Sequence, residues 1–161
     1  MNNIVLARTL GFLLALFCMH IPLPDVIEPM RPQCILLVTI YWVLVLDRRC
    51  SLLEILCWGL INDVATNSPL GLNALFLLFI SAITAMLAPR LRNTSVFQQG
   101  GFILLSALFY ATYTVFIHLL LGETLLSISF WAMPVITALI WLLIGGPLLI
   151  RRIQNNAHYN G

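Results

Sequence analysis

Long apolar blocks alternate with short polar joints along the whole chain. A helix that crosses a hydrocarbon core of ~30 Å needs about 20 residues and tolerates about 17 to 25. Residues 4–21 meet that length. After the proline-rich joint IPLPDVIEPMRP comes QCILLVTIYWVLVL, residues 33–46, which at ~1.5 Å per residue reaches only about 21 Å. Met30 to Pro32 must lengthen it to 30–46, or the bilayer thins around it. The third block, 52–66, is equally short and opens with SLLE, in which Ser51 and Glu54 have the spacing of a reciprocal capping box. Blocks at 70–88, 101–121 and 130–150 complete a prediction of six helices, and Pro134 with Gly145-Gly146-Pro147 predicts kinks in the last.

Composition turns these blocks into membrane spans. Apolar residues make up 61% of the 161 and charged residues 9%, whereas a soluble domain carries about a quarter charged. Mean hydropathy is +1.00. No polar stretch is long enough for a separate soluble unit, so 1–161 reads as a single polytopic, all-α membrane domain. The first block ends in CMHIPLPDV with no small-x-small cleavage site, and is expected to stay as the first span.

Charge then orients the spans. There is no lysine, and Arg8, Arg48, Arg49, Arg90, Arg92, Arg151 and Arg152 all fall at joints that alternate with acidic or uncharged ones. The other joints carry Asp25, Glu28, Arg31 and Glu123. Cytoplasmic loops of membrane proteins are enriched in basic residues, which puts both termini in the cytoplasm.

Few residues point to chemistry. Cys18, Cys34, Cys50 and Cys57 have no paired ligand spacing and read as small apolar fillers, although Cys18 and Cys34 both map toward the outer face, where a disulfide stays open. His20, His118 and His158 are scattered, so no metal or other cofactor is expected. Gly-x-Ser-x-Gly, His-Glu-x-x-His and P-loop motifs are absent, as is a close carboxylate pair, which argues against an enzyme. The basic residues hug the membrane surface and leave no nucleic-acid patch.

One block is out of character. GLINDVATNSPLG, residues 59–71, sets Asn62 and Asp63 inside the third apolar segment. From a cytoplasmic start at Leu52, Asp63 lies roughly 17 Å up the axis, within about a turn of the outer end. An ionisable group in a span costs about 2.5 to 3.5 kcal/mol at the helix centre and less toward the interface, so it takes a partner. Three roles compete: a carboxylate that caps the break at NSPLG and satisfies amides left open there, a contact for a partner protein, or a ligand pocket or proton relay. Arg31, at the outer start of the second helix, is the expected attraction for Asp63, with Asn62 and Asn73 as further donors and Asp25 and Glu28 as competitors.

Small and polar residues at helical spacing suggest packing. Ala7, Gly11 and Ala15 recur every four residues, the pattern that lets two helix backbones approach closely, against an internal helix or a partner's. Ala107, Ala111, Thr114 and His118 form one face of the fifth helix, with His118 as a hydrogen-bonded packing residue at its outer end. Ser81 and Thr84 are expected to bond back to their own helix. Trp42, Trp58, Trp131 and Trp141, where they fall near helix ends, read as interface anchors.

The segments EPMRPQCILLVTIYWVLVLDRR and GLINDVATNSPLGLNAL resemble the MreD family of rod shape-determining proteins. The Arg31-Pro32 start, the Tyr41-Trp42 pair, the Gly59 to Asp63 spacing and the Leu70-Gly71 turn carry the resemblance, which is specific over residues 28–75. It implies a multi-pass, non-enzymatic component of the bacterial inner membrane that acts in peptidoglycan elongation with MreC, the actin-like MreB, RodA and its penicillin-binding transpeptidase. It also implies a fold resembling the substrate-binding subunits of energy-coupling-factor transporters, with a cavity near the outer face. It brings no catalytic residues, so the structural or partner-binding candidates stay Arg31, Tyr41, Trp42, Asn62, Asp63, Gly71 and Asn73. Two classes of function follow. One is a scaffold, bathed in membrane lipids, that binds MreC's transmembrane helix and positions synthesis to maintain rod shape. The other is a small-molecule-binding, transporter-like subunit with an outer-facing polar pocket.

Overall fold

A computed structural model describes residues 2–22, 24, 28–46, 51–122 and 128–151. The expectations for Asp25, Arg48, Arg49, Cys50, Glu123, Arg152 and His158 lie outside them. The described residues form helices and turns alone: α1 (Asn2–His20), α2 (Cys34–Leu46), α3 (Leu52–Ala65), α4 (Leu72–Leu91), α5 (Val96–Leu120) and α6 (Met133–Ile140). A π-helical turn, Trp141–Gly145, prolongs α6, and helix continues to residue 151. Among the described residues three stretches are long and apolar enough to cross a membrane, namely Leu72–Leu91, Val96–Leu120 and Ser129–Arg151, and Val5–His20 and Cys34–Leu46 are shorter apolar helices. This is a membrane protein.

Helix ends depart from the apolar blocks for local reasons. The expected extension of the second helix through Met30 to Pro32 does not form. Glu28–Met30 is a separate 3₁₀ turn and α2 begins at Cys34, because Pro32 pushes Arg31, the residue before it, out of the helical region. α5 starts at Val96, ahead of its apolar block, since the Ser95 hydroxyl accepts the Gln98 amide at 3.5 Å. The capping box at Ser51 is also absent. The Ser51 side chain makes no cap bond, and Glu54 instead meets Arg8 Nη2 at 2.6 Å, an ionic contact stronger than a reach back to one amide. In α6 the glycine-rich segment produces a π turn, and the Trp141 indole lies so close to Gly145 that a Cβ there would be 2.5 Å from the ring.

Side chains set the directions of the helices. Arg8–Glu54, the stacked rings of Phe12 and Trp58 at 5.1 Å, and His20 Nε2 at 2.9 Å from the Ala65 carbonyl oxygen link α1 and α3 in parallel. Arg92 Nε donates to the Leu44 oxygen at 2.6 Å, joining the ends of α2 and α4. α4 packs antiparallel on α5 through Phe76, whose ring meets Tyr110 edge-on at 5.0 Å. Gly100 and Gly146 bring α5 and α6 together, against Leu142 and Val96. One end of the bundle therefore gathers Arg8, Glu54 and Arg92, and the other gathers His20, Arg31 and the turn between α3 and α4.

The core is apolar, with Ile40, Leu77, Ile103 and Met133 fully buried. Trp42 and Trp141, both away from the helix ends, are buried in it where α1, α2 and the last helix meet. Trp131 is 45% exposed at the start of the last helix. Ala107 and Ala111 are fully buried, Thr114 nearly so, and His118 is half-buried at the end of that face. Ser81 and Thr84 donate to the Leu78 and Ile80 oxygens of their own helix.

Candidate functional site

The out-of-character aspartate closes a helical hairpin. Asp63 is fully buried near the end of α3. Its Oδ2 accepts the Gly71 amide at 2.8 Å, and its Oδ1 accepts the Asn73 amide at 2.8 Å and the Ser68 hydroxyl at 3.2 Å. Those amides open α4, where the first turn of any helix leaves N–H groups without intrahelical partners. Gly71 is the residue before α4 and has no side chain to cap them, so α3 supplies the cap from the preceding helix. The carboxylate also faces the positive end of the α4 dipole.

The rest of the motif makes that geometry reachable. Gly59 lets α3 touch α4, since a Cβ there would lie 2.4 Å from Ala74 Cα. Asn67 and Gly71 turn the chain with φ of 51° and 96°, the left-handed region that Asn and Gly tolerate best. Asn73 carries the network onward: its Nδ2 donates to Ser68 Oγ at 3.1 Å, and its Oδ1 accepts the Tyr110 hydroxyl at 2.7 Å. Asn62 is buried beside it, with its main-chain oxygen accepting from the Thr66 amide and hydroxyl. The Asn62 side-chain amide makes no hydrogen bond among the described residues.

The expected attraction between Arg31 and Asp63 is not formed. Arg31 Nη2 donates to the Ile21 oxygen at 2.9 Å and stands 3.8 Å from Glu28. Asp63 turns inward because two main-chain amides and a hydroxyl meet it there, while Arg31 stays outside over the exposed carbonyls at the end of α1. Arg31 and His20 share the wall of a cavity of about 410 Å³ with Met19, Glu28, Ala65 and Thr66. Sequence reading missed Tyr110, Ser68 and Gln33, whose main-chain N–H donates to Thr137 Oγ1 at 3.2 Å. No periodic pattern marks Tyr110, which stands 37 residues from its partner.

A second feature is apolar. α1, α2 and the last helix enclose an apolar groove of about 480 Å³ that runs from Ala7 to Cys18 along α1 and past Val38, Tyr41 and Ile144, roughly 16 Å along the helix axis at ~1.5 Å per residue. Ala15 is buried, Ala7 is exposed, and Gly11 sits on Trp42, where a Cβ would be 3.2 Å from the indole nitrogen. The small-residue stripe thus serves an internal contact with α2 and also floors the groove. Tyr41 lines the opening, edge-on to Trp42 at 5.5 Å. A comparable groove of about 490 Å³ between α4 and α5 is lined by Phe79, Leu105, Ser106 and Thr112. Cys18, Cys34 and Cys57 are free thiols. Among the described residues no group of three or more His, Cys, Asp or Glu could hold a metal ion.

No solved structure matches the chain. Its residues 2–150 match the family described as rod shape-determining protein MreD. That match takes in the hairpin, the groove and every helix of the bundle, and the chain belongs to the MreD family, whose role is in determining rod shape.

Proposed function

We propose that the chain is a non-enzymatic scaffold of the bacterial inner membrane that seats the transmembrane helix of MreC in the groove between α1, α2 and α6. In this reading it crosses the membrane six times, as the substrate-binding subunits of energy-coupling-factor transporters do. The arginine-rich end is cytoplasmic, and through MreC the chain helps position MreB, RodA and the transpeptidase for peptidoglycan synthesis. One observation carries the reading: the groove is floored by Ala7, Gly11 and Ala15. A lipid chain packs against any apolar wall. Helix backbones in a membrane associate where small residues let them come close.

The transporter-like alternative draws on the cavity at the outer end. Its polar groups support it less well, because Arg31 and His20 face backbone carbonyls and the Asp63 oxygens receive three hydrogen bonds within the hairpin. Their geometry is that of groups closing helix ends.

Ala7→Leu tests the scaffold reading cleanly, since Ala7 is exposed on the groove. Normal yield is expected, with co-purified MreC reduced roughly tenfold, the equivalent of ~1.4 kcal/mol. Gly11→Leu, which also presses on Trp42, should lose more. Unchanged MreC recovery with both variants contradicts a partner helix in the groove.

A further inference from the structure

His20, the last residue of α1, has both ring nitrogens against carbonyl oxygens. Nδ1 lies 2.8 Å from the Leu16 oxygen of its own final turn, and Nε2 lies 2.9 Å from the Ala65 oxygen at the end of α3. Carbonyls only accept. A neutral imidazole carries one N–H, so it can satisfy one of these oxygens and must turn a lone pair toward the other, whereas the imidazolium donates to both. Both oxygens belong to the last turns of helices, where the partial negative charge of the helix end favours a cation.

We propose that His20 is a proton-operated latch between α1 and α3 that sets how α1 seats, and with it the width of the groove that α1 walls. This rests on the reading of that groove as a partner's seat. α1 is tied to α3 at three levels: the Arg8–Glu54 ion pair at one end, the Phe12–Trp58 stack in the middle and His20–Ala65 at the other. Its opposite side, with Leu6, Leu10, Leu13 and Phe17 exposed, faces outward. Releasing His20 loosens the end of α1, which lines the groove, and leaves the Arg31 bond to the Ile21 oxygen as its hold there.

The charged surroundings of the ring are few among the described residues. From the segment before α2, Arg31 shares the cavity wall and opposes the added proton, and Glu28 beside it supports the proton. α3 presents Ala65 and Thr66, neither ionisable, while Asp63 turns toward α4. The latch is closed when the ring holds both protons; as pH rises through the ring's titration one N–H is left for two oxygens, so the bond to Ala65 competes with that to Leu16 and persists only in the tautomer protonated at Nε2. His20 is exposed, so the pH it reads is that of the compartment at its end of the bundle.

Nitroxide labels at Phe17→Cys and Val64→Cys, both exposed positions, report the distance between these helix ends in the full chain in lipid nanodiscs, with Cys18, Cys34, Cys50 and Cys57 replaced by serine. Spectra at about pH 5 and about pH 8 bracket the ordinary imidazole value of ~6.5. The expected distribution is narrow at the acid value and shifted to longer, broader distances at the alkaline one. His20→Gln should remove the pH dependence, and His20→Leu should give the broad distribution at both values. A distribution identical at both values with His20 in place overturns the latch. So does a ¹⁵N spectrum of the His20 ring showing a single neutral tautomer at the acid value. Captured MreC is counted in the same samples: a pH-dependent distance without capture supports the latch and contradicts the groove reading, and capture with an invariant distance overturns the latch alone.

Discussion

Gly59→Leu is expected to abolish assembly of the α3–α4 hairpin, and Gly59→Ala to weaken it measurably. A Cβ at residue 59 would lie 2.4 Å from Ala74 Cα, 2.9 Å from Ala74 Cβ and 3.0 Å from Ala74 N. Two of those three atoms are backbone, so no rotamer change relieves the overlap and the helices must part. Extra volume in a packed interior costs about 1–3 kcal/mol even where side chains can adjust. Alanine's better helix propensity returns about 1 kcal/mol at most. The balance is therefore unfavourable for Ala and far worse for Leu. Separation of α3 from α4 also pulls Asp63 away from the Gly71 and Asn73 amides, so the two losses coincide. Folded yield from the membrane and the thermal inactivation midpoint measure it. A midpoint for Gly59→Ala equal to or above that of the parent chain would show that the backbones are not in contact.

Asp63→Ala should rank next. It leaves two backbone amides at the start of α4 without acceptors and releases the Ser68 hydroxyl. An unsatisfied buried group costs about 1–3 kcal/mol, which puts the total at roughly 3 kcal/mol or more. Asp63→Asn is milder but still harmful, because one oxygen becomes an NH₂ turned toward a hydrogen-bond donor. Arg31→Gln bears on separate contacts, with Ile21 and Glu28. Losses for Asp63→Asn and Arg31→Gln should therefore add to within about 0.5 kcal/mol in the double variant. A double variant little worse than either single would restore the direct attraction between the two side chains and contradict the cap.

The helical character and the order of the apolar blocks were legible because long apolar blocks admit little else, and among the described residues Arg8 and Arg92 lie at one end of the bundle. The role of Asp63 was half legible. Its place near a helix end, just before Asn, Ser, Pro and Gly, is where open amides need an acceptor, and that much points to a cap. Pairing it with Arg31 failed because sequence gives the side of the membrane but not the direction a side chain turns, and two nearby amides outcompete a distant cation. Glu54 misled in the same way: its spacing from Ser51 suggested a local cap, whereas Arg8 on another helix holds it. The groove was visible only as a stripe of small residues on α1. Its other walls come from α2 and α6, so no local pattern contains it, and Trp42 and Trp141, away from the helix ends, are buried beside it.

A photoreactive side chain at Leu14 or Ile144, two exposed positions that line the α1–α2–α6 groove, brings the partner's seat directly under test when MreC is present in the same membrane. Leu105, exposed in the groove between α4 and α5, is the matched control. The expected result is a cross-linked product with MreC's transmembrane segment from Leu14 and Ile144 and none from Leu105. Cross-linking from Leu105 alone, or from none of the three while MreC still co-purifies, would contradict the seat proposed here.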